Sequence, residues 1–113
     1  MTETEPTDIH HHFGGGVYIK QSLIPAGHVL VQHKHKYEHM TILASGRAVV
    51  DGVELCGPKV FVIPPEKNHG ARTITDCLWF CVHATEVRDP SVMEQILVIP
   101  QSKDEILELA GKV

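Results

Sequence analysis

The chain consists of short β-prone runs separated by turn residues, and this spacing strongly restricts the fold that it can adopt. The runs recur roughly every 8–12 residues and are closed by glycine, by proline or by an Asp-Gly pair. Asp51-Gly52 lies between two such runs and is typical of a tight hairpin. Eight or nine short strands of this kind indicate an all-β sandwich or barrel.

The predicted strands cover most of the chain after the three glycines at residues 14–16. They are residues 17–24, 28–35, 39–45, 47–51, 53–56, 59–63, 69–75 and 77–84. Residues 92–99 could form a further strand, although their helical propensity is mixed.

The two ends of the chain have a different character. Residues 1–16 begin with a polar stretch that contains Pro6 and lacks periodicity, which predicts a flexible N-terminal arm. A short amphipathic helix is predicted over residues 103–113, with Ser102 as N-cap and Glu105 completing a capping box. The expected organisation is therefore the arm (1–16), a β-barrel (17–99) and a C-terminal helical tail (100–113).

Size and charge narrow the classes of function. A chain of 113 residues forms one domain. Its formal net charge of −4, without a lysine or arginine run, argues against a nucleic-acid partner. Apolar runs long enough to span a bilayer are missing, and the N-terminus is acidic. The three cysteines contain no CxxC pair, which favours a reducing cytoplasm.

Histidines are the residues most able to carry chemistry here. His33 and His35 are two positions apart and share one face if the strand is regular. His39 follows after a turn with the same parity, and His69 lies behind a proline-stiffened loop. Imidazole is a good ligand for transition metals. These four residues are predicted to form one metal site.

Other interpretations compete with that site. A single strand histidine is more often a satisfied or exposed residue than a ligand, and an HxH pair also arises by chance. Glu38 is a rival ligand or general base if His39 is displaced. The cluster at residues 10–12 lies in the predicted arm and could bind metal adventitiously.

The chain resembles the cupin superfamily in two segments. Residues 27–46 match the first cupin motif with Gly27, the HxH pair and Gly46 in register, but His39 stands where glutamate is usual. Residues 57–69 resemble the second motif and include its ligand, His69. The second motif departs from the usual pattern by one extra residue before Pro64, by Glu66 in place of glycine and by Thr73 in place of asparagine.

With four histidines, the chain is most similar to the small four-histidine monocupins. The resemblance implies a double-stranded β-helix, or jelly-roll, barrel that forms a homodimer. It also implies one divalent transition metal per chain, which could be Fe, Mn, Ni, Cu or Zn, held by His33, His35, His39 and His69.

Replacing the usual glutamate by His39 changes the expected chemistry. Four neutral histidines leave a divalent ion at a formal charge of +2, which favours anionic, chelating ligands. Two open positions on a six-coordinate ion would suit a dioxygenase that cleaves C–C or C=C bonds in a small organic substrate. A non-catalytic metal and ligand binding protein, a metal-dependent isomerase or lyase, and a closed structural zinc site remain alternatives.

Four further residues are candidates for lining the substrate pocket. Trp79 and Cys81 lie in the last β-run, although ordinary core packing is the favoured alternative for Trp79. Tyr37 and Arg72 flank the predicted ligands and could orient a substrate carboxylate, with a position at the rim as the alternative. His83 is expected at the surface near the end of its strand, and a role behind the metal ligands is the less favoured interpretation.

Overall fold

The computed structural model describes residues 8–112 as two antiparallel β-sheets and two helices. One sheet has five strands in the order β1-β2-β9-β4-β7, and the other has four in the order β3-β8-β5-β6. Seven of the eight predicted strands are found within two residues of the predicted bounds, and the eighth, β3, is shorter than expected. The strands are β1 (Asp8–Gly14), β2 (Val17–Ile24), β3 (Val29–Gln32), β4 (His39–Ser45), β5 (Arg47–Val50), β6 (Val53–Cys56), β7 (Lys59–Ile63), β8 (His69–Thr73) and β9 (Cys77–Ala84).

Side chains from the facing sides of the two sheets form the main core. Leu43 of β4 and Trp79 of β9 stand opposite each other in the five-stranded sheet. They pack with Ile24, Ala48 and Cys77, so that both sheets contribute to one buried cluster. Next to this core, towards the open end of the barrel, lies a cavity lined by several histidines, and Ile24 and Trp79 contribute to both the core and the cavity wall.

The predicted Asp-Gly hairpin connects β5 to β6. Val50 pairs with Val53, which leaves Asp51 and Gly52 as the two turn residues. Their φ angles are +47° and +84°. Positive φ at both central positions matches the right-handed twist of the adjoining strands and explains why this dipeptide is found here. The Asp51 side chain also takes part in the site described below.

Two short helices pack against different parts of the barrel. Residues 90–97 form α1 (Pro90–Leu97), so the possible strand over residues 92–99 is wrong. Asp89 caps α1, and Met93 and Leu97 bury their side chains against Tyr18 of β2. Local helix capping and this apolar contact decide the conformation of a segment whose propensity is mixed.

The predicted C-terminal helix is observed as α2 (Lys103–Ala110). The hydroxyl oxygen of Ser102 accepts a hydrogen bond from the backbone N–H of Glu105, as the capping pattern predicts. Ile106 and Ala110 pack against Val29 and Val31. The outer face of β3 is therefore covered by α2.

The N-terminal segment is more ordered than the sequence suggested. Residues 8–14 form β1, which pairs with residues 17–23 of β2, rather than part of a flexible arm. The remainder of that predicted arm, residues 1–7, lies outside the described residues, as does residue 113. Neither helix in residues 8–112 has the length and apolar character needed to cross a membrane.

The three consecutive histidines of β1 do not converge on one point. His11 faces the barrel and its Nδ1 lies 2.7 Å from the Tyr18 hydroxyl. His10 pairs with Asp8, and His12 lies 2.9 Å from the Gln21 side chain. Strand alternation separates their side chains because neighbouring residues point to opposite faces.

Candidate metal centre

Three histidine side chains meet at the open end of the barrel. Each of His35, His39 and His83 offers a ring nitrogen, and these nitrogens all lie within 4.8 Å of one another. The ring centroids of His39 and His83 are 4.4 Å apart, and those of His35 and His39 are 4.7 Å apart. We call these three residues the histidine cluster.

Strand register accounts for two members of the cluster. Thr41 of β4 pairs with Cys81 of β9, and both face the interior. His39 and His83 stand two residues away from that pair in opposite chain directions, so they lie on the same face and at the same end. Both are buried, with His83 only 5% exposed. The expectation that His83 lies at the surface is therefore wrong.

The third member comes from a connection, not from a strand. β3 ends at Gln32, and its inward positions are even-numbered because Val29 and Val31 pack against α2. The segment that follows is held by a backbone bridge between His35 and Val98. The Nδ1 atom of His35 donates a hydrogen bond to the carbonyl oxygen of His33 at 2.8 Å, which leaves Nε2 available for coordination.

His69 lies beside the cluster at the start of β8. It pairs with Gln32 in the register between β3 and β8. Its Nδ1 atom donates a 2.6 Å hydrogen bond to the Asp51 carboxylate, whereas its Nε2 atom is buried and lacks a hydrogen-bond partner within residues 8–112. A carboxylate behind one ring nitrogen fixes the tautomer and raises the basicity of the other, an arrangement common for metal-binding histidines.

Burial keeps the clustered imidazoles neutral. Desolvation lowers the pKa of His39 to about 4, with contributions from the nearby His35 and His69. Desolvation likewise lowers the pKa of His83 to about 3, helped by His39, His35 and Lys20. The pKa of His35 is also lowered, mainly by burial. Neutral imidazole is the form that binds metals, so no proton has to be removed near neutral pH.

The ring nitrogens therefore fit a metal ion. His39 Nδ1, His69 Nε2 and His83 Nδ1 are buried and without a hydrogen-bond partner among the described residues. Buried polar atoms are nearly always paired, and each unpaired one costs about 1–3 kcal/mol. A divalent transition metal would use the lone pairs of His69 Nε2 and His83 Nδ1. His39 Nε2 lies 3.0 Å from the Gln32 side-chain amide, so His39 Nδ1 would coordinate the metal with the ring proton on Nε2 and the Gln32 amide turned to accept it.

A cavity of about 550 Å³ opens beside the cluster. Trp79 and Cys81 line it, and Trp79 also packs in the core. Burial raises the pKa of the Cys81 thiol, which makes it a poor nucleophile. The polar and charged residues of the lining are His11, Tyr18, Lys20, Ser22, Gln32, His33, His35, Thr41, His69, Trp79, Cys81, His83, Ser91 and Glu94.

Two predicted pocket residues lie elsewhere. Tyr37 is 59% exposed on the connection before β4. Arg72 is exposed and pairs with Val29, on the face of β8 that points away from the cavity. The prediction that Tyr37 and Arg72 line the pocket is wrong. Arg72 is three residues from His69, so it points to the opposite face of β8, and Tyr37 lies on a connection where strand alternation does not apply.

Solved structures similar to this one share its architecture. A cupin superfamily protein from Desulfitobacterium hafniense aligns with a TM-score of 0.57 and 13% identity, covering 74% of this chain and 83% of that protein. An RmlC-like cupin with a double-stranded β-helix fold from Methanocaldococcus jannaschii gives 0.57 and 15%, covering 70% and 80%. KdgF from a Halomonas species gives 0.58 and 19%, covering 75% and 80%.

The chain has the cupin fold. Protein-family descriptions and curated proteins yielded no match to its sequence. The likeness is therefore one of architecture, and it confirms the jelly-roll barrel that the two sequence motifs indicated.

Within the cupin fold, the predicted ligands occupy two kinds of position. His35 and His39 belong to the histidine cluster. His33 and His69 line the same cavity but lie outside that three-residue group. The four-histidine ligand set stays a prediction. His83 is the residue that the motifs did not mark, although it shares its parity with the buried Cys77 and Trp79.

Metal affinity should depend on the cluster and not on its exposed neighbour. We expect His39→Ala and His83→Ala each to weaken metal binding roughly 10-fold or more, because each removes a ring nitrogen from the buried group. Glu38→Ala is the matched control, since Glu38 adjoins His39 but is exposed. Titration with Ni(II) or Zn(II) monitored by calorimetry measures the effect. Unchanged affinity in His83→Ala, with loss in His33→Ala, would restore the ligand set that the motifs suggest.

The stability of the metal-free protein should fall in mild acid. The folded-state pKa values of His39 and His83, about 4 and about 3, lie below the ordinary value of 6.5. Between about pH 6.5 and pH 4 the unfolded chain therefore binds more protons than the folded chain. Each such proton lowers the free energy of unfolding by about 1.4 kcal/mol for every pH unit.

Urea unfolding between pH 7 and pH 4 measures this dependence. His83→Gln should reduce the slope, whereas His12→Gln, on the exposed face of β1, should leave it unchanged. Identical slopes in the wild type and His83→Gln would contradict the assignment of a buried neutral imidazole to His83.

Proposed function

We propose that this cupin-fold protein binds one divalent transition metal at its buried histidines and holds a small organic ligand in the adjoining cavity. The observation that carries the proposal is the group of unpartnered ring nitrogens at a cavity of about 550 Å³. That volume lies in the range of small-molecule sites. A purely structural metal would need no such space beside it.

His35, His39 and His83 would hold the metal, with His69 as a fourth candidate from the opposite sheet. The donors are all imidazoles, which suit Fe, Mn, Ni, Cu and Zn to different degrees. Because neutral imidazoles leave the charge of a divalent ion uncompensated, an anionic or chelating ligand would be favoured.

We infer an oxygenase acting on a small organic substrate as the candidate activity. A redox-active ion would supply the electron transfer that oxygen chemistry requires. The chain itself would orient the substrate and exclude water, since Trp79, Phe61 and Ile63 give the cavity an apolar wall. A non-catalytic metal and ligand binding protein is the alternative, and an isomerase or lyase lies between the two.

Metal analysis followed by oxygen-uptake measurements tests this proposal. The protein should be loaded separately with Fe(II), Mn(II), Ni(II), Cu(II) and Zn(II), and screened with diketones, catechols and styrenes. We expect substrate-dependent oxygen uptake with a redox-active ion and none with Zn(II). Metal binding without oxygen uptake under any of these conditions would favour the binding protein, and stoichiometric metal bound equally by His39→Ala would contradict the site.

We also propose a homodimer formed through the outer face of the five-stranded sheet. The outward side chains of β4, β7 and β9 are uncharged, and Met40, Val60 and Val62 are exposed. Sheets pack face to face at about 10 Å when both faces are apolar. A second copy is the partner that this face fits, because a two-fold dimer brings the same uncharged patch together.

Introducing a charge into that face should separate the dimer. We expect light scattering to give Val62→Glu the mass of a 12.5 kDa monomer and to give the wild type twice that mass. Val53→Glu is the matched control, since Val53 is also a well-exposed valine but belongs to the other sheet. A monomeric wild type, or dissociation by Val53→Glu alone, would contradict this interface.

The three cysteines support a proposed location in a reducing compartment such as the cytoplasm. Cys56 is exposed, Cys77 is buried, Cys81 is half-buried, and all three are free thiols. Free thiols persist where glutathione keeps them reduced.

A further inference from the structure

Lys20 occupies an inward position in the middle of β2. Its neighbours on the same face are Tyr18 and Ser22, both buried, and it stands opposite Cys81 of β9. It lines the cavity together with the histidines. Lysines are usually found at the surface, with the ammonium group in bulk water, so a half-buried, inward lysine calls for a chemical reason.

The ammonium group of Lys20 has no counterion within residues 8–112. No carboxylate lies within 4 Å of it, and its side chain makes no hydrogen bond to the described part of the chain. Among residues 8–112, Glu94 of α1 is the one carboxylate in the cavity lining, and it is not paired with Lys20. A positive charge facing a partly desolvated cavity gains most from an anion that enters that cavity.

Strand register places Lys20 one step below the histidine cluster. Tyr18 pairs with His83, Lys20 pairs with Cys81, and Ser22 pairs with Trp79. Successive inward residues are about 7 Å apart along a strand. Lys20 is close enough to lower the pKa of His35 and His83, although burial is the larger cause for both. One compact molecule could therefore contact the cluster and Lys20 together.

Trp79, one step deeper, forms part of the wall of the cavity. Its side chain is 7% exposed and lines the cavity, but its indole Nε1 atom is itself buried, so a molecule in the cavity meets the ring and not the N–H. Lys20 is therefore the group on this strand pair that attracts an oxyanion.

We propose that Lys20 forms an anion-binding subsite, in which a ligand carboxylate pairs with the Lys20 ammonium beside the Trp79 indole ring. The inference rests on the proposed function in placing the other end of the ligand at the histidines. The ligand class is a small carboxylic acid with a second oxygen function. Lys20 selects this class because a neutral amide of the same shape leaves the ammonium without a counterion.

Carboxylate and amide pairs test the subsite directly. Lactate, pyruvate and acetoacetate are titrated against lactamide, pyruvamide and acetoacetamide, with calorimetry and the fluorescence of Trp79, the only tryptophan, as readouts. We expect the wild type to bind at least one carboxylate roughly 10-fold or more tightly than its amide. Lys20→Met should abolish that preference and Lys20→Arg should retain it.

Lys59→Met is the matched control because it makes the same change of charge at an exposed position of β7. It should keep the carboxylate preference of the wild type. A preference that survives Lys20→Met, or no saturable binding of any of the three carboxylates by the wild type, would overturn the subsite.

Metal content, measured on each variant, separates this inference from the proposed function. Lys20→Met should bind metal as the wild type does, since Lys20 is not among the proposed ligands. Full metal content with an unchanged carboxylate preference in Lys20→Met overturns the subsite alone. A wild type that binds no metal overturns the proposed function, whereas Lys20-dependent carboxylate binding in that same protein still supports the subsite.

Discussion

The two-residue alternation of β9 links the hydrophobic core to the histidine cluster. Its inward side chains are Cys77, Trp79, Cys81 and His83, in order from the closed end of the barrel to the open end. The first two belong to the core, the third faces the cavity, and the fourth joins the histidine cluster. A shift of one residue in register would exchange all four with outward residues. Core packing therefore fixes the position of the histidine cluster.

Much of the barrel could be predicted from the sequence because its strands are local and well punctuated. Turn chemistry at Asp51-Gly52 and helix capping at Ser102 act over a few residues, and both were correctly anticipated. The cupin motifs gave the fold and two members of the cluster, His35 and His39. These features need only the residue types and their spacing.

The remainder depends on contacts between distant segments. The order of β1 comes from pairing with β2, and α1 is stabilised where Met93 meets Tyr18, neither of which is visible in local propensity. β3 ends at Gln32, so His33 and His35 are not in a strand and the expectation that they share one face no longer applies. The inward direction of Lys20 likewise follows from a register that the sequence alone does not define.

Asp51 has two independent roles, one in the turn between β5 and β6 and one as the acceptor for His69. Asparagine or glycine would also form a turn of this kind, because both tolerate positive φ. Neither could give His69 a negatively charged acceptor, and the backbone N–H of Gly70 also donates to the same carboxylate. Related sequences should therefore accept fewer residue types at position 51 than the turn alone would allow. Aspartate at position 51 should also occur together with histidine at position 69. The residue type at position 51, in a hairpin distant from the cluster in sequence, thus reports whether the site is present.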